Sequence, residues 1–382
     1  ARVLAARGHV VDHAWFAGDA GPKGRMRRLP GDPSTLVFLP LGAGIPYSKT
    51  RFRRRRAGDI AYGREIAAHV TATAYDVVIS GNMPTEAQEK LVAACERRGV
   101  PFVYWCQDFY SIAVSKLLEK RLPGPGHAVA AWYRFLERRQ MRRAARVVHI
   151  TESFRAQTDR WGIPSDKVEV IPNWGAVGEI PVLSRETAWA AEQGLGAGPR
   201  YLYSGTLALK HDPRLLEALA RRVEGAGEVL LVSSGIGAER LAAEAAAGRL
   251  PALRALPLQP FERFPEVLGA ADVLLGVIEA EAGLFSVPSK ILSYLCAGRP
   301  IVLSAPADNL AARIVAETGA GRVTPPGDAE AFAEAARAFA ADPAAAAAAG
   351  AAGRRYAEAT FDLDRVADRF EAVFRAAGAA RT

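Results

Sequence analysis

The fold is decided by residues 281–300, which read EAGLFSVPSKILSYLCAGRP. This stretch follows an apolar segment, Val273–Val277, that is typical of a buried strand. Its second part has the apolar spacing of a helix with a proline in the first turn, and Gly298 marks the helix end. We therefore predict a strand, a loop and a helix that begins between Ser286 and Ser289. Its start would lie at the carboxyl end of the strand, where α/β proteins bind ligands.

The same alternation of strand and helix runs along the rest of the chain. One series of apolar strand segments and amphipathic helices ends near residue 172, and a second series begins at residue 200. Such alternation favours parallel sheets covered by helices on both faces. We predict an α/β fold with two Rossmann-like domains, which is divided into a first domain at 1–174, a linker at 175–199, a second domain at 200–360 and a C-terminal helix at 361–382.

The beginning of the chain is unusual for such a fold. Residues 1–7 look like the end of an amphipathic helix, Gly8 looks like its C-cap, and a strand begins at residues 9–11. An α/β domain normally opens with a strand and a turn before its first helix. We therefore expect that the first strand and its glycine turn are missing, and that the fragment is poorly active or inactive.

Composition limits the class of protein. The chain has 382 residues, of which 50% are hydrophobic and 24% are charged, as expected for a globular protein with two cores. No apolar run has the length of a membrane helix. The cysteines Cys95, Cys106 and Cys296 are far apart, which argues against a disulfide framework and a zinc site. We expect a cytoplasmic protein.

Basic charge is clustered. The net charge is +8, and residues 51–56 read RFRRRR. Basic clusters attract polyanions, but no aromatic-basic RNA motif accompanies this one, so we expect no nucleic-acid partner. We predict peripheral binding to an anionic membrane surface, with a solvated basic loop as the alternative. The residues concerned are Arg51, Arg53, Arg54, Arg55 and Arg56.

The predicted helix start at 286–289 has the properties of a diphosphate site. Its free amides and the positive end of the helix dipole favour an anion, and Ser286, Ser289 and Lys290 add polar and basic groups. The alternative is an ordinary capped helix with a surface lysine.

Two further glycine turns follow predicted strands. Residues 203–213 read YSGTLALKHDP, in which Gly205 lets a ligand approach the backbone and Lys210 can meet a phosphate. Residues 233–239 read SSGIGAE, with Gly235 at the turn but without a full GxGxxG pattern. Each turn on its own is a weak signal, because tight turns after strands are common.

Taken together, these segments resemble the retaining glycosyltransferases of the GT-B fold, family 4. Residues 168–173 (VEVIPN) look like the interdomain segment of that family, and YSGT with Lys210 looks like its first donor loop. The sequence AADVL, followed by VPSK and AGRP, looks like its donor-sugar and diphosphate segment. The VPSK and AGRP forms are similar to those of capsule and O-antigen transferases.

The resemblance implies an architecture and a reaction. Two Rossmann-like domains would carry parallel sheets facing across a cleft, with the C-terminal helix packing back toward the N-terminal domain. A sugar, often N-acetylated, would pass from a UDP-type donor to a glycan or lipid-linked acceptor with retention. The donor-binding residues would be Gly205, Thr206, Lys210, Gly235, Ser286, Ser289 and Lys290.

The acceptor side and the catalytic residues are also implied by the resemblance. Asp108 and its neighbour Gln107 stand where relatives carry an acidic or His residue that faces the acceptor, and Asn173 lies in the interdomain segment. The catalytic residues would be Asp108, Lys290 and Glu281.

This sequence departs from the family at the expected catalytic glutamates. Phe285 and Ser293 occupy the two glutamate positions before AGRP, so Glu281 or Glu279 would replace the first glutamate. Thr206 stands in place of the usual arginine, so lysines would neutralise the diphosphate. Because the glutamate pair is absent, a non-catalytic sugar-nucleotide-binding relative is one alternative, and a sugar-nucleotide epimerase of the same fold is another.

No metal cofactor is predicted. Asp362 and Asp364 form a DxD sequence, but they open the last helix, where acidic residues favour the positive end of the helix dipole. The six histidines are scattered and none is at metal-ligand spacing.

Overall fold

The computed structural model divides the chain into two compact units. The first unit contains residues 1–172 and 363–382, and the second contains residues 173–362. The structure describes residues 1–18, 25–46, 51–81, 83–121, 124–207, 211–278 and 289–379.

Strands and helices alternate along both units. The strands are β1 Val11–Phe16, β2 Leu36–Leu41, β3 Val78–Gly81, β4 Phe102–Cys106, β5 Arg146–His149, β6 Val168–Val170, β7 Arg200–Thr206, β8 Glu228–Ser234, β9 Leu253–Leu256, β10 Val273–Val277, β11 Ile301–Ser304 and β12 Gly321–Thr324. The helices are α1 Arg2–Ala6, α2 Phe52–Ala72, α3 Thr85–Arg98, α4 Tyr110–Arg121, α5 Pro125–Arg143, α6 Arg155–Arg160, α7 Ala188–Glu192, α8 Arg214–Arg222, α9 Ile236–Ala246, α10 Phe264–Gly269, α11 Ser289–Ala297, α12 Leu310–Thr318, α13 Ala329–Ala341, α14 Pro343–Thr360 and α15 Leu363–Ala379.

The first unit is built on parallel strands. Strands β3, β4, β5 and β6 pair in that order in one sheet, and β1 pairs with β2. The central strand β4 is apolar, and Val103 of β4 and Val147 and Val148 of β5 are completely buried. Runs of this kind are typical of parallel strands that helices cover on both faces.

The C-terminal helix α15 belongs to the first unit, as predicted. The ring of Phe370 packs edge-on against Trp105 of β4, with the ring centroids 5.2 Å apart. Near the start of the helix, Arg7 forms ion pairs with Asp364 at 2.9 Å and with Asp368 at 2.7 Å. The helix therefore covers part of the first sheet and is tied to the N-terminal segment.

The second unit has six parallel strands in the order β9-β8-β7-β10-β11-β12. Along β7, Leu202 joins one buried apolar layer, whereas its neighbours Tyr201 and Tyr203 join the layer on the opposite face. This alternation follows from the two-residue period of a strand. Both faces of the sheet are therefore covered, which confirms the predicted α/β fold with two parallel-sheet units.

The structure differs from the expectation of a linker at 175–199. Trp189 on α7 is completely buried in the second unit, and its indole Nε1 donates a hydrogen bond to Gln259 at 3.2 Å. Ile180 is also buried, and its carbonyl accepts a hydrogen bond from Arg354 at 2.6 Å. The segment packs as part of the second unit because these large apolar side chains outweigh its content of glycine and proline.

Candidate functional site

The carboxyl edge of the second sheet holds the candidate site. Strand β7 lies between β8, which follows it in the chain, and β10, which comes much later. The strand order therefore reverses direction at β7. In open α/β sheets, ligands bind outside the carboxyl ends of the strands at such a reversal. Gly205 lies at this end of β7 with a φ of +117°, a conformation that glycine adopts readily.

Lys290 lies in the first turn of α11 and reaches the same edge. Its Nζ is 3.7 Å from the ring centroid of Tyr203, and a Cβ added to Gly205 would lie 3.5 Å from the lysine Cε and Nζ. The Nζ atom is buried and has no hydrogen-bond partner among the described residues. Burial lowers the pKa of Lys290 to about 7. The face of the Tyr203 ring stabilises the ammonium group at this position, and the ammonium group can bind an anion.

A buried tyrosine fixes α11 against the end of β7. The hydroxyl of Tyr294 accepts a hydrogen bond from the Ser204 amide at 3.0 Å and donates one to the Ser204 carbonyl at 3.2 Å. Tyr294 lies one helical turn after Lys290, so the two side chains project from the same side of α11. The position of Lys290 beside Gly205 therefore follows from a direct link between the helix and the strand.

The end of β8 supports the β7 turn. Ser233 donates a hydrogen bond from Oγ to the Gly205 carbonyl at 2.6 Å. Gly235 has a φ of +107°, and a Cβ there would lie 2.9 Å from the Leu207 carbonyl oxygen. The close approach of two backbone segments thus explains this glycine, and its role in donor binding stays a prediction. Thr206 is exposed at the end of β7.

Several residues expected at this site lie outside the described part of the chain. Ser289 is described and lies exposed at the start of α11. The others fall in residues 208–210 and 279–288, and they are Lys210, Glu279, Glu281 and Ser286.

The candidate acceptor residues of the first unit follow β4. Asp108 is exposed and Gln107 is partly buried, and the Asp108 carbonyl accepts a hydrogen bond from Cys106 Sγ at 3.3 Å. They lie at the carboxyl edge of the first sheet, where ligands bind in open α/β sheets, and their contact with the acceptor stays a prediction. Asn173, the expected interdomain residue, is partly buried and is the first residue of the second unit.

Sequence reasoning missed Glu137, which lies beneath the segment that follows β4. The Glu137 carboxylate is buried and accepts hydrogen bonds from the Ser111 amide at 3.1 Å, the Ser111 hydroxyl at 2.5 Å and the Tyr104 hydroxyl at 3.2 Å. It therefore anchors the first turn of α4, directly after Asp108. Burial raises the pKa of Glu137 to about 7. The available signal was a glutamate within the amphipathic helical pattern of residues 128–144.

The two aspartates of the DxD sequence stand at the beginning of α15. Asp364 is engaged by Arg7, as described above, and Asp362 precedes the helix. Within the described ranges, no group of three His, Cys, Asp or Glu side chains could hold a metal ion.

The basic cluster forms the start of α2. Arg55 Nε lies 4.0 Å from Asp59 Oδ2, and its guanidinium group lies over the ring of Tyr110. Arg56 Nε forms an ion pair with Oε1 of buried Glu86 at 3.1 Å. Arg53 and Arg54 are exposed, and neither forms a hydrogen bond or ion pair within the described part of the chain. Two members of the cluster thus hold the first unit together, which the sequence did not predict. Within the same part of the chain, no helix combines the length and apolarity needed to cross a bilayer.

Three solved structures illustrate the similarity of fold. A sucrose-phosphate synthase from Thermosynechococcus elongatus matches with a TM-score of 0.76 and 18% identity over 99% of this chain and 92% of its own. HepE from Anabaena, solved with UDP-glucose, matches with a TM-score of 0.63 and 17% identity over 81% and 82% of the two chains. WaaG, a glycosyltransferase involved in lipopolysaccharide biosynthesis, matches with a TM-score of 0.62 and 17% identity over 93% and 89%.

Comparison with protein families covers both halves of the chain. Residues 1–174 match the Glycosyl transferase 4-like domain, and residues 198–342 match Glycosyl transferases group 1. No curated protein matches the chain in sequence. The chain therefore has the GT-B glycosyltransferase fold, in which a Glycosyl transferase 4-like domain is followed by a Glycosyl transferases group 1 domain.

Proposed function

We propose that the protein transfers a sugar from a UDP-linked donor to a glycan or lipid-linked acceptor, with retention, in the synthesis of a cell-surface polysaccharide or glycoconjugate. The observation that carries the proposal is Lys290. Its buried ammonium group, without a hydrogen-bond partner among the described residues, lies beside Gly205 where the strand order of the second sheet reverses. The fold of HepE, which was solved with UDP-glucose, is consistent with such a donor.

The chemistry of a nucleoside diphosphate fits this arrangement. The diphosphate is an anion, and Lys290 offers a positive charge in a place from which water is largely excluded. As the bond between the anomeric carbon and the phosphate oxygen breaks, negative charge grows on the leaving diphosphate. A charge fixed beside it stabilises the transition state more than the ground state. Lys210 and the amides at the start of α11 are proposed to assist.

Retention is proposed through attack on the face that the diphosphate leaves. The acceptor hydroxyl oxygen forms the new bond to the anomeric carbon, the bond to the diphosphate breaks, and the hydroxyl proton passes to the departing phosphate. This route needs no protein nucleophile, which agrees with the altered glutamate positions. Asp108 and Gln107 are proposed to face the acceptor, Glu281 to face the donor sugar and Asn173 to act between the domains.

The proposed setting is the cytoplasmic face of a membrane. All three cysteines are free and buried, as suits a reducing compartment. The exposed Arg53 and Arg54 add positive charge to the surface of the first unit. Anionic lipids attract such groups over a distance of about one Debye length.

Calorimetric titration of the chain with UDP, GDP and ADP tests the donor, and a panel of UDP-sugars then tests the sugar. We expect UDP to bind more tightly than the other nucleotides and to bind equally well in EDTA. Incubation with a labelled UDP-sugar and membrane lipid extract should yield labelled glycolipid. Isomerised donor without transfer would favour the epimerase alternative. Loss of UDP binding in EDTA that Mg²⁺ or Mn²⁺ restores would contradict binding by lysine alone.

A further inference from the structure

Helix α5 exposes an apolar surface on the first unit. Val129, Trp132 and Phe135 are exposed by 36%, 50% and 52%, although each is a large apolar side chain. They recur every third residue along one side of the helix. The opposite side of α5 is buried in the first unit through Ala130, Tyr133, Leu136 and Met141.

The two aromatic rings of this surface form a pair. Trp132 and Phe135 stack with their ring centroids 5.7 Å apart and their planes at 29°. Burying such a pair in an apolar medium would remove a large apolar area from water. Tryptophan is also suited to the boundary between lipid and water, because it combines an apolar body with a polar NH group.

Positive charge lies next to the aromatic pair. Arg56 lines one open cavity together with Val129, Trp132 and Tyr133. Hydrogen bonds to Glu86 from both Arg56 and Tyr133 fix the start of α2 beside α5. Arg53 lies one helical turn before Arg56, so its side chain extends this region with positive charge. Arg54 is the next residue of α2 and is also exposed, and no described carboxylate neutralises either arginine.

We propose that Val129, Trp132 and Phe135 of α5, together with Arg53 and Arg54 of α2, form a docking surface for an anionic lipid bilayer. The proposal deepens the proposed function, since it assigns the residues that bring the enzyme to a lipid-linked acceptor. The aromatic pair enters the boundary between headgroups and acyl chains, while the arginines contact anionic headgroups. Amphipathic helices at membrane surfaces bind in the same way. A combination of exposed aromatic rings and neighbouring uncompensated cations is complementary to an anionic lipid surface.

Co-sedimentation with vesicles tests the surface. The vesicles are phosphatidylcholine alone or phosphatidylcholine with phosphatidylglycerol, at low and at physiological salt. We expect the wild-type chain to prefer the anionic vesicles. Trp132→Ser with Phe135→Ser should lower the partition coefficient about tenfold at both salt concentrations. Arg53→Ser with Arg54→Ser should lower it about tenfold at low salt and less at high salt.

Matched control variants lie in the second unit. Ile236→Ser removes a large apolar side chain that is 63% exposed, and Arg313→Ser with Arg355→Ser removes two exposed arginines. Neither change should alter vesicle binding. Thermal unfolding of every variant checks that the fold is intact, and UDP titration separates this proposal from the donor site, because the surface variants should bind UDP as the wild type does.

Two outcomes would overturn the proposal. One is vesicle binding by the Trp132→Ser, Phe135→Ser variant that equals binding by the wild type. The other is a wild-type chain that ignores anionic vesicles but forms a dimer that the same variant abolishes, in which case the surface binds protein. In addition, the tryptophan emission of the wild type should shift to shorter wavelength on vesicles, and Trp132→Phe should reduce that shift.

Discussion

The ammonium nitrogen of Lys290 lies over the ring of Tyr203, 3.7 Å from its centroid, although the two residues belong to different elements of the second unit. Tyr203 is completely buried, and its hydroxyl donates a hydrogen bond to the Thr206 carbonyl at 3.0 Å. The face of the Tyr203 ring attracts the ammonium group of Lys290, and the hydrogen bond from the Tyr203 hydroxyl holds the ring in place. Tyr203 therefore acts as a positioning residue for the lysine that is proposed to meet the donor.

Two substitutions of Tyr203 separate the ring from the hydroxyl. A cation–π contact in a desolvated place is worth about 2 kcal/mol, so Tyr203→Leu should weaken UDP binding about tenfold or more. Tyr203→Phe keeps the ring and should change the affinity by less than about threefold. Calorimetric titration measures both, and a melting curve confirms folding. Equal losses in the two variants would show that the ring does not position Lys290.

Lys290→Ala should weaken UDP binding about ten- to a hundredfold, because one charge-assisted contact of about 1.5–3 kcal/mol is lost. Lys290→Arg should restore it only in part, because a planar guanidinium is larger than the ammonium group beside Gly205. The matched control is Lys90→Ala, which removes an exposed lysine of the first unit. Lys210→Ala is predicted from the sequence to act in the same direction. Undiminished UDP affinity in Lys290→Ala would remove the basis of the proposed function.

Binding of UDP should depend on pH through Lys290. Its pKa is lowered to about 7 in the free protein, and a bound diphosphate favours the charged form and raises that pKa. Binding therefore takes up a proton between the two values, and UDP affinity should fall by up to about tenfold per pH unit above pH 7. Titrations in buffers of different ionisation enthalpy measure the proton uptake. Lys290→Met should flatten the profile, and a flat wild-type profile from pH 7 to 9 would contradict the assignment.

The stability of the first unit should depend on pH through Glu137. Burial raises its pKa from the usual 4.5 to about 7 in the folded chain, so the folded state binds the proton more tightly than the unfolded state does. The stabilisation is complete below pH 4.5 and is lost as pH rises through 7, with a total on the order of 3 kcal/mol. Chemical denaturation of wild type and Glu137→Gln between pH 5 and 8 measures it. The variant should show a smaller dependence over that range, and parallel profiles would refute this account.

The sheets were predictable because local patterns determine them. Val273–Val277 is an uninterrupted apolar run, and it forms β10 with the predicted bounds. The end of α11 at Ala297 was equally accessible, because Gly298 adopts a φ of +67° that glycine supports. Hydrophobic periodicity and glycine turns are properties of short stretches of sequence, and short stretches are enough to predict where strands and helices form.

Contacts between distant residues could not be predicted in this way. The sequence marked Lys290 as a phosphate ligand but did not indicate that Tyr203, 87 positions earlier, lies beneath it. Arg56 was interpreted as a surface charge, although Glu86 and Tyr133 hold it in the first unit. Glu137 was overlooked because a charged residue on a helix is usually exposed. Each of these depends on which elements pack together, and one sequence does not contain that information in a local form.

The return of α15 to the first unit has a consequence for the order in which the chain can fold during synthesis. The second unit is a continuous segment, residues 173–362, and is complete once residue 362 has left the ribosome. The first unit still lacks the helix whose Phe370 packs against Trp105 and whose Asp364 and Asp368 pair with Arg7. Domains usually fold in the order in which they are synthesised. Here the unit that is synthesised first is completed last, so the sheet face around Trp105 stays uncovered until α15 has been synthesised.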